Sequence, residues 1–196
     1  MRMNRAGHQD GEVSADSLRV RVNADFRTFA PRVDYSATVA ALLSYIPAKY
    51  LAGLDRVVLR DRGSLVRKER LRERKMGVRR GTYFRAVANR PAHIELFVDQ
   101  IVASWPGALL RCRGIREILL SRTLYHEVGH HIHDQIAPEH RDREAVAREW
   151  GLRLGREYMR RRYWYLRPFF GPLRFMLSRI HALLWRRREP RAADRS

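Results

Sequence analysis

At 196 residues the chain is long enough for one domain with a real core, or one domain with tails. A hydrophobic fraction of 45% is ordinary for a globular protein, but 40 Lys and Arg against 21 Asp and Glu leave a net charge of +19, which draws the chain to anionic partners: nucleic acid, phospholipid head groups or acidic proteins. A single cysteine, Cys112, excludes an internal disulfide, fits a reducing compartment, and without a partner thiol makes a poor metal ligand or nucleophile.

Residues 1–17 are polar and without periodicity, so they predict a disordered leader; no apolar run follows the first arginines, and a secretory signal is excluded. Leu18, Val20 and Val22 alternate as a short strand does, opening the folded domain at residue 18. Residues 35–50 read as a helix with Val39, Leu42, Leu43 and Ile46 on one side, broken by Pro47. Gly53 then allows a turn into a strand at Arg56-Val57-Val58-Leu59-Arg60. The basic run at 63–80, GSLVRKERLRERKMGVRR, predicts a solvated connection or an anion-binding patch. It lacks the interleaved aromatics of single-stranded nucleic-acid sites, and it matches no zinc finger, helix-turn-helix or RNA-binding sheet motif. Two strands are expected at 82–86 and 94–98, with a turn at Asn89-Arg90-Pro91; Ile94, Leu96 and Val98 alternate with Glu95, Phe97 and Asp99. Trp105-Pro106-Gly107 turns the chain into a helical stretch that leads to the most informative segment.

That segment is 120–137, LSRTLYHEVGHHIHDQIA. Leu120, Leu124, Val128, Ile132 and Ile136 recur every four residues and predict a helix with a buried stripe, ended by Pro138. Within it His126-Glu127-Val128-Gly129-His130 spells H-E-x-x-H. Positions four apart lie on one helix face, so both imidazoles can reach one metal ion while Glu127 leans toward a water in an open position. Gly129 between them costs a helix interior about 1 kcal/mol relative to Ala, which predicts a close neighbour at that backbone. A second helix is expected at 141–162, where Glu144 and Glu149 both fall within reach as a third ligand. His131 points about 100° away from His130; His133 is placed to line the site without ligating, and His140 is a weaker alternative ligand. Asp134 or Asp142 is positioned to orient a ligand imidazole.

The run YHEVGHHIH and its HExxH resemble the zincin metallopeptidases, and more narrowly the gluzincins of the small single-domain type, over about fifty residues up to Tyr165. The resemblance implies an α+β domain in which a mixed or antiparallel sheet packs on the HExxH helix, and a following helix bears the third ligand. It implies Zn2+ held by His126, His130 and a glutamate; Glu144, which opens EAVA, fits the pattern better than Glu149. It also implies that an extended peptide substrate adds to the sheet's edge strand. Glu127 is then the general base for a water whose pKa zinc brings near 7, with Tyr158, Tyr163 and His133 as candidate oxyanion donors.

The tail from 166 is basic and amphipathic. Leu173, Met176, Leu177, Ile180 and Leu184 form a stripe interrupted too often by Arg and Pro to span a bilayer. It fits either a helix docked on the catalytic domain or one lying on an anionic membrane surface. The expected organisation is a leader at 1–17, a zincin-like domain at 18–165 and the tail at 166–196. The expected function is a zinc metallopeptidase of the cytoplasm or the inner membrane face, acting on a protein or peptide. The alternative is a basic nucleic-acid- or membrane-binding module with a structural or inactive zinc site. The charge favours the module; Glu127, for which a structural site has no use, favours the enzyme.

Overall fold

The computed structural model describes residues 20–66, 79–136, 138 and 142–166. The expected leader, Leu18, most of the basic run, His140 and the apolar stripe of the tail lie outside the described residues. What is described is an α+β fold: a four-stranded mixed sheet with five helices. The strands are β1 (Arg21–Asp25), β2 (Leu54–Arg60), β3 (Gly81–Phe84) and β4 (Ala92–Phe97). The helices are α1 (Tyr35–Leu43), α2 (Val98–Val102), α3 (Gly107–Leu110), α4 (Arg113–Ile136) and α5 (Arg143–Arg162). The chain divides into two compact units after Gly155, within α5. No helix among the described residues is long and apolar enough to cross a membrane.

The sheet runs β1-β2-β4-β3, parallel across β1, β2 and β4, with β3 antiparallel on the β4 edge. The alternation expected of the strands sorts their side chains: Val57, Leu59, Ile94 and Leu96 are wholly buried, whereas Arg56, Arg60, His93 and Glu95 are half-exposed. On that wetter face Arg60 Nη1 donates to both carboxylate oxygens of Glu95 at 2.9 Å. The buried residues join those of α1 and α4 in one core, where the Tyr125 hydroxyl of α4 donates to the Leu42 carbonyl of α1 at 3.2 Å.

Several boundaries differ from the sequence expectation for local reasons. The first strand begins at Arg21. The first helix starts at Tyr35, where the Asp34 carboxylate caps it by accepting from the Ala37 N–H at 2.9 Å. It stops at Leu43, four residues before Pro47, and Ile46 is buried from the following turn instead. Gly53 has the positive φ, 76°, that its turn requires. The hairpin turn sits at Ala88-Asn89, between mutual Val87–Arg90 backbone bonds, so β3 and β4 come one to two residues earlier than expected. Val98 leaves the strand to begin α2. The motif helix is longer than its apolar stripe, starting at Arg113. Leu120, Leu124, Val128 and Ile132 are fully buried, whereas Ile136 is 61% exposed in the last turn, past the layer that covers the others.

One polar cluster fixes the chain between β1 and β2. Asp61 is fully buried and accepts from the backbone N–H groups of Arg27, Thr28, Phe29 and Ser64 and from the Thr28 hydroxyl. Burial alone would raise its pKa; the Thr28, Arg27 and Phe29 hydrogen bonds outweigh that and hold it well below its ordinary 3.8. A depressed carboxyl contributes stability that is whole above the unfolded pKa and is lost as pH falls toward the folded one. Asp61→Asn is therefore expected to destabilise the fold by about 2–3 kcal/mol at pH 7 and to flatten the acid limb of a stability–pH curve below about pH 4. Urea titrations of both proteins across that range check it; parallel curves would show that Asp61 stays protonation-neutral in folding.

Candidate metal centre

His126 and His130 lie one turn apart on α4, their ring centroids 4.8 Å apart and edge to face. Both rings face the first turn of α5. There Glu144 meets them with one oxygen each: Oε2 is 3.5 Å from His126 Nε2, and Oε1 is 3.4 Å from His130 Nε2. One ligand atom from each of the three residues falls within 4.8 Å of the others, a group able to hold a metal ion. Burial lowers the His130 pKa, partly offset by the Glu144 charge, and so favours the neutral imidazole that metals bind.

The helix crossing that makes this meeting possible is set by glycine. A β-carbon on Gly129 would strike the carbonyl oxygen of Ala147 and lie 2.9 Å from its Cα, so the two helices touch backbone to backbone. One turn further along α5, a β-carbon on Gly151 would lie 3.2 Å from the His126 Cα. The close neighbour expected from Gly129 is thus the backbone of α5. That contact brings α5 near enough for a short carboxylate at its start to reach the imidazoles. Asp142 caps the same helix, accepting from the Ala145 N–H at 2.9 Å, which fixes where the helix begins.

Glu127 faces the other way round α4, toward the edge strand. It is 6% exposed, and a β-carbon on Gly81 would lie 2.8 Å from its Oε1, so β3 closes over the carboxylate. Burial raises its pKa to about 7; the Tyr83 backbone N–H, which donates to the carboxylate, opposes this, the Glu144 charge adds to it, and Arg79 lowers it. His126, Glu127, His130 and Glu144 line one cleft of about 680 Å³ whose opposite wall is β3, from Gly81 to Phe84.

The remaining expectations resolve residue by residue. Glu144, and not Glu149, joins the imidazoles; Glu149 is exposed and outside the group. His131 is buried away from the cluster, its Nε2 2.9 Å from the Ala52 carbonyl and its Nδ1 3.3 Å from the Tyr83 hydroxyl. His133 is buried beside Asp134 and does not line the cleft. Asp134 does line it, hydrogen-bonded to the Tyr83 hydroxyl, while Asp142 serves as a helix cap instead of orienting an imidazole. Tyr158 and Tyr163 belong to the second unit, where their rings meet edge to face. The tyrosine of the cleft is Tyr83, which sequence reasoning missed: nothing local distinguishes it from any other strand aromatic. Burial and Asp134 raise its pKa to about 12. Comparison of the chain with protein-family models, with curated proteins and with solved structures finds no match.

Helix propensity alone would make Gly129→Ala stabilising by about 1 kcal/mol. Collision with Ala147 is expected to reverse that sign, giving a net loss of about 2 kcal/mol and weaker metal binding. Thermal unfolding and a metal titration check this together; a more stable variant would mean that the helices are not in contact at Gly129.

Proposed function

We propose that the chain is a zinc-dependent metallopeptidase of gluzincin-like arrangement, with His126, His130 and Glu144 as the metal ligands and Glu127 as the general base. The observation that carries this reading is the meeting of Glu144 with both imidazoles. Donors bound to one tetrahedral zinc at about 2.0–2.1 Å lie about 3.3–3.4 Å from each other. Each imidazole has one Glu144 oxygen close to that edge length, Oε2 for His126 at 3.5 Å and Oε1 for His130 at 3.4 Å, and one ligand atom from each residue falls within 4.8 Å of the others. Two imidazoles and one carboxylate also form a donor set suited to zinc, and three ligands are the number that catalytic sites use. The order of elements supports the resemblance as well: an HExxH helix, an edge strand against it, and a glutamate on the next helix.

When bound there, zinc supplies Lewis-acid chemistry, lowering the pKa of a water toward 7 and polarising the scissile carbonyl. The chain's own residues do the rest. Glu127 takes the proton of the attacking water on a carboxylate oxygen and returns it to the leaving amine. The Tyr83 N–H donates to that carboxylate and the backbone at Gly81 lies against it, which orients it. The outer edge of β3 offers an extended peptide a strand to lie along, beside the base. A lone cysteine, exposed at Cys112, fits work in a reducing compartment, the cytoplasm or the inner face of a membrane.

The +19 charge favours the second reading, a basic module whose metal site is structural or inactive. Glu127 separates the two. A structural site gains nothing from an ionisable carboxyl buried one residue from a ligand, and such a group costs folding free energy. Glu127→Gln is expected to retain one zinc per chain while peptide hydrolysis falls by at least about 100-fold. His126→Ala and Glu144→Gln are expected to lose zinc, and Glu149→Gln to keep it. Metal analysis beside a peptide-hydrolysis assay decides; full activity of Glu127→Gln, or zinc retained by Glu144→Gln and lost by Glu149→Gln, overturns the assignment.

A further inference from the structure

A second recess of about 460 Å³ shares Arg79, Gly81, His126 and Glu127 with the cleft, so Glu127 borders two spaces. Both spaces are walled by arginine. Arg85, at the end of β3, and Arg143, opening α5, line the main cleft; Arg80, before β3, and Arg122, one turn ahead of His126 on α4, line the recess; Arg79 borders both. Arg79 and Arg80 end the basic run and Arg85 follows β3, whereas Arg122 comes from α4 and Arg143 from α5, so the run alone does not account for their convergence. All five are exposed. Arg80, Arg85, Arg122 and Arg143 form no ion pair among the described residues.

The acids in the same walls are already engaged. Glu144 faces the two imidazoles, Glu127 accepts from Tyr83 N–H, and Asp134 is shared between the Tyr83 hydroxyl and His133. Arg80, Arg85, Arg122 and Arg143 therefore keep their charge unpaired among the described residues, and a cleft with protein walls concentrates their field more than an open surface does. Along an extended chain, Arg80 and Arg85 are five residues apart, about 17 Å at a strand's rise. That distance matches residues five apart in an extended ligand, the third residue on either side of one peptide bond.

We infer that the site takes acidic peptide segments, with Asp or Glu side chains on both sides of the bond nearest Glu127. The inference rests on the peptidase reading for the identity of that bond. Guanidinium forks pair with carboxylates in bidentate fashion, which selects acidic side chains over neutral ones of equal size. Base stacking, which single-stranded nucleic-acid sites use, has little to work with: Phe84 is stacked on His93 at 4.7 Å, and Tyr83 is tied to His131 and Asp134.

The probe is a fluorescein-labelled peptide with two aspartates on each side of a Leu-Ala centre, beside its isostere with asparagine at all four places. Fluorescence anisotropy is read with Glu127→Gln, zinc-loaded and chelated, so that binding is measured without turnover. The acidic peptide is expected to bind at least about tenfold tighter at about 50 mM salt, with the preference shrinking steeply by about 0.5 M. Adding Arg80→Gln, Arg85→Gln and Arg122→Gln is expected to remove most of it. Adding Arg32→Gln, Arg90→Gln and Arg111→Gln, exposed residues outside the cleft, removes the same charge and is expected to leave it. Equal binding of the two peptides overturns the inference, and this comparison needs no arginine variant to fold. Equal loss with the remote triple overturns it too, as does displacement of the peptide by phosphatidylglycerol vesicles or a single-stranded oligonucleotide at a lower charge concentration. Zinc-loaded wild type cleaving neutral and acidic peptides alike would end the inference and leave the peptidase. A chain that binds no zinc yet grips the acidic peptide through these arginines would end the peptidase and leave an acidic-segment site.

Discussion

The backbone contact between α4 and α5 is the constraint on which the candidate centre depends. Glutamate has a short reach, and Glu144 stands in the first turn of its helix, 68% exposed, with no wall of its own to hold it against the imidazoles. It is held by the helix that carries it. Gly129 and Gly151 remove the two side chains that would keep the helices at the 8–10 Å spacing usual for packed pairs. The cost of glycine in a helix, about 1 kcal/mol at each position, is small beside what a side chain's width would do there. One methyl group at the crossing would move the ligand by more than a metal site's tolerance of a few tenths of an ångström.

The opposite side of α4 is organised by β3. That strand is short, antiparallel and at the edge of the sheet, and it has to sit against a helix face carrying a carboxylate. Two devices tie it there. Gly81 and the Tyr83 N–H accommodate Glu127, and the Tyr83 side chain is tethered to His131 and Asp134, one on each side of the following turn of α4. His131 in turn reaches the Ala52 carbonyl before β2, and Gln135 donates to the same oxygen. A histidine that ligates nothing thereby positions the wall of the cleft in which two others face the glutamate.

What was legible in the sequence was what repeats along the chain. The four-residue recurrence from Leu120 to Ile132 and the alternation of Ile94 and Leu96 both reflect burial on one face, so the motif helix and the central strand were readable. The pairing of His126 with His130 was readable for the same reason, since helical spacing alone sets it. Spacing left Glu144 and Glu149 both open and the EAVA resemblance favoured Glu144; the capping of α5 by Asp142 is what sets Glu144 in the first turn. Tyr83 was not readable, and of the cleft arginines only Arg79 and Arg80 fell in the run that the sequence offered as a solvated connection or an anion-binding patch. They come to the site from β3 and its flanks and from the helices α4 and α5, and nothing in the local pattern of any of these marks them as neighbours. Their contribution exists only once β3 is laid on α4.

Glu127 and Glu144 lie around the same pair of imidazoles, and their environments separate what each can do. Glu144 is 68% exposed, so most of its hydration is kept. Glu127 is enclosed by β3 and α4, and burial brings its pKa to about 7, where a carboxyl both accepts and returns a proton at neutral pH. Positive charge gathered at the imidazoles would favour its ionised form, and so would Arg79, while the Glu144 charge pulls in the other direction. The arginines around the cleft then act in two ways at once. They offset the negative charge of two carboxylates in one small space, and they leave a surplus of positive charge at the mouth for a ligand to neutralise. An overall charge of +19 explains neither, because charge spread over a surface is screened beyond about 8–10 Å; charge converging on one cleft from three parts of the fold is not.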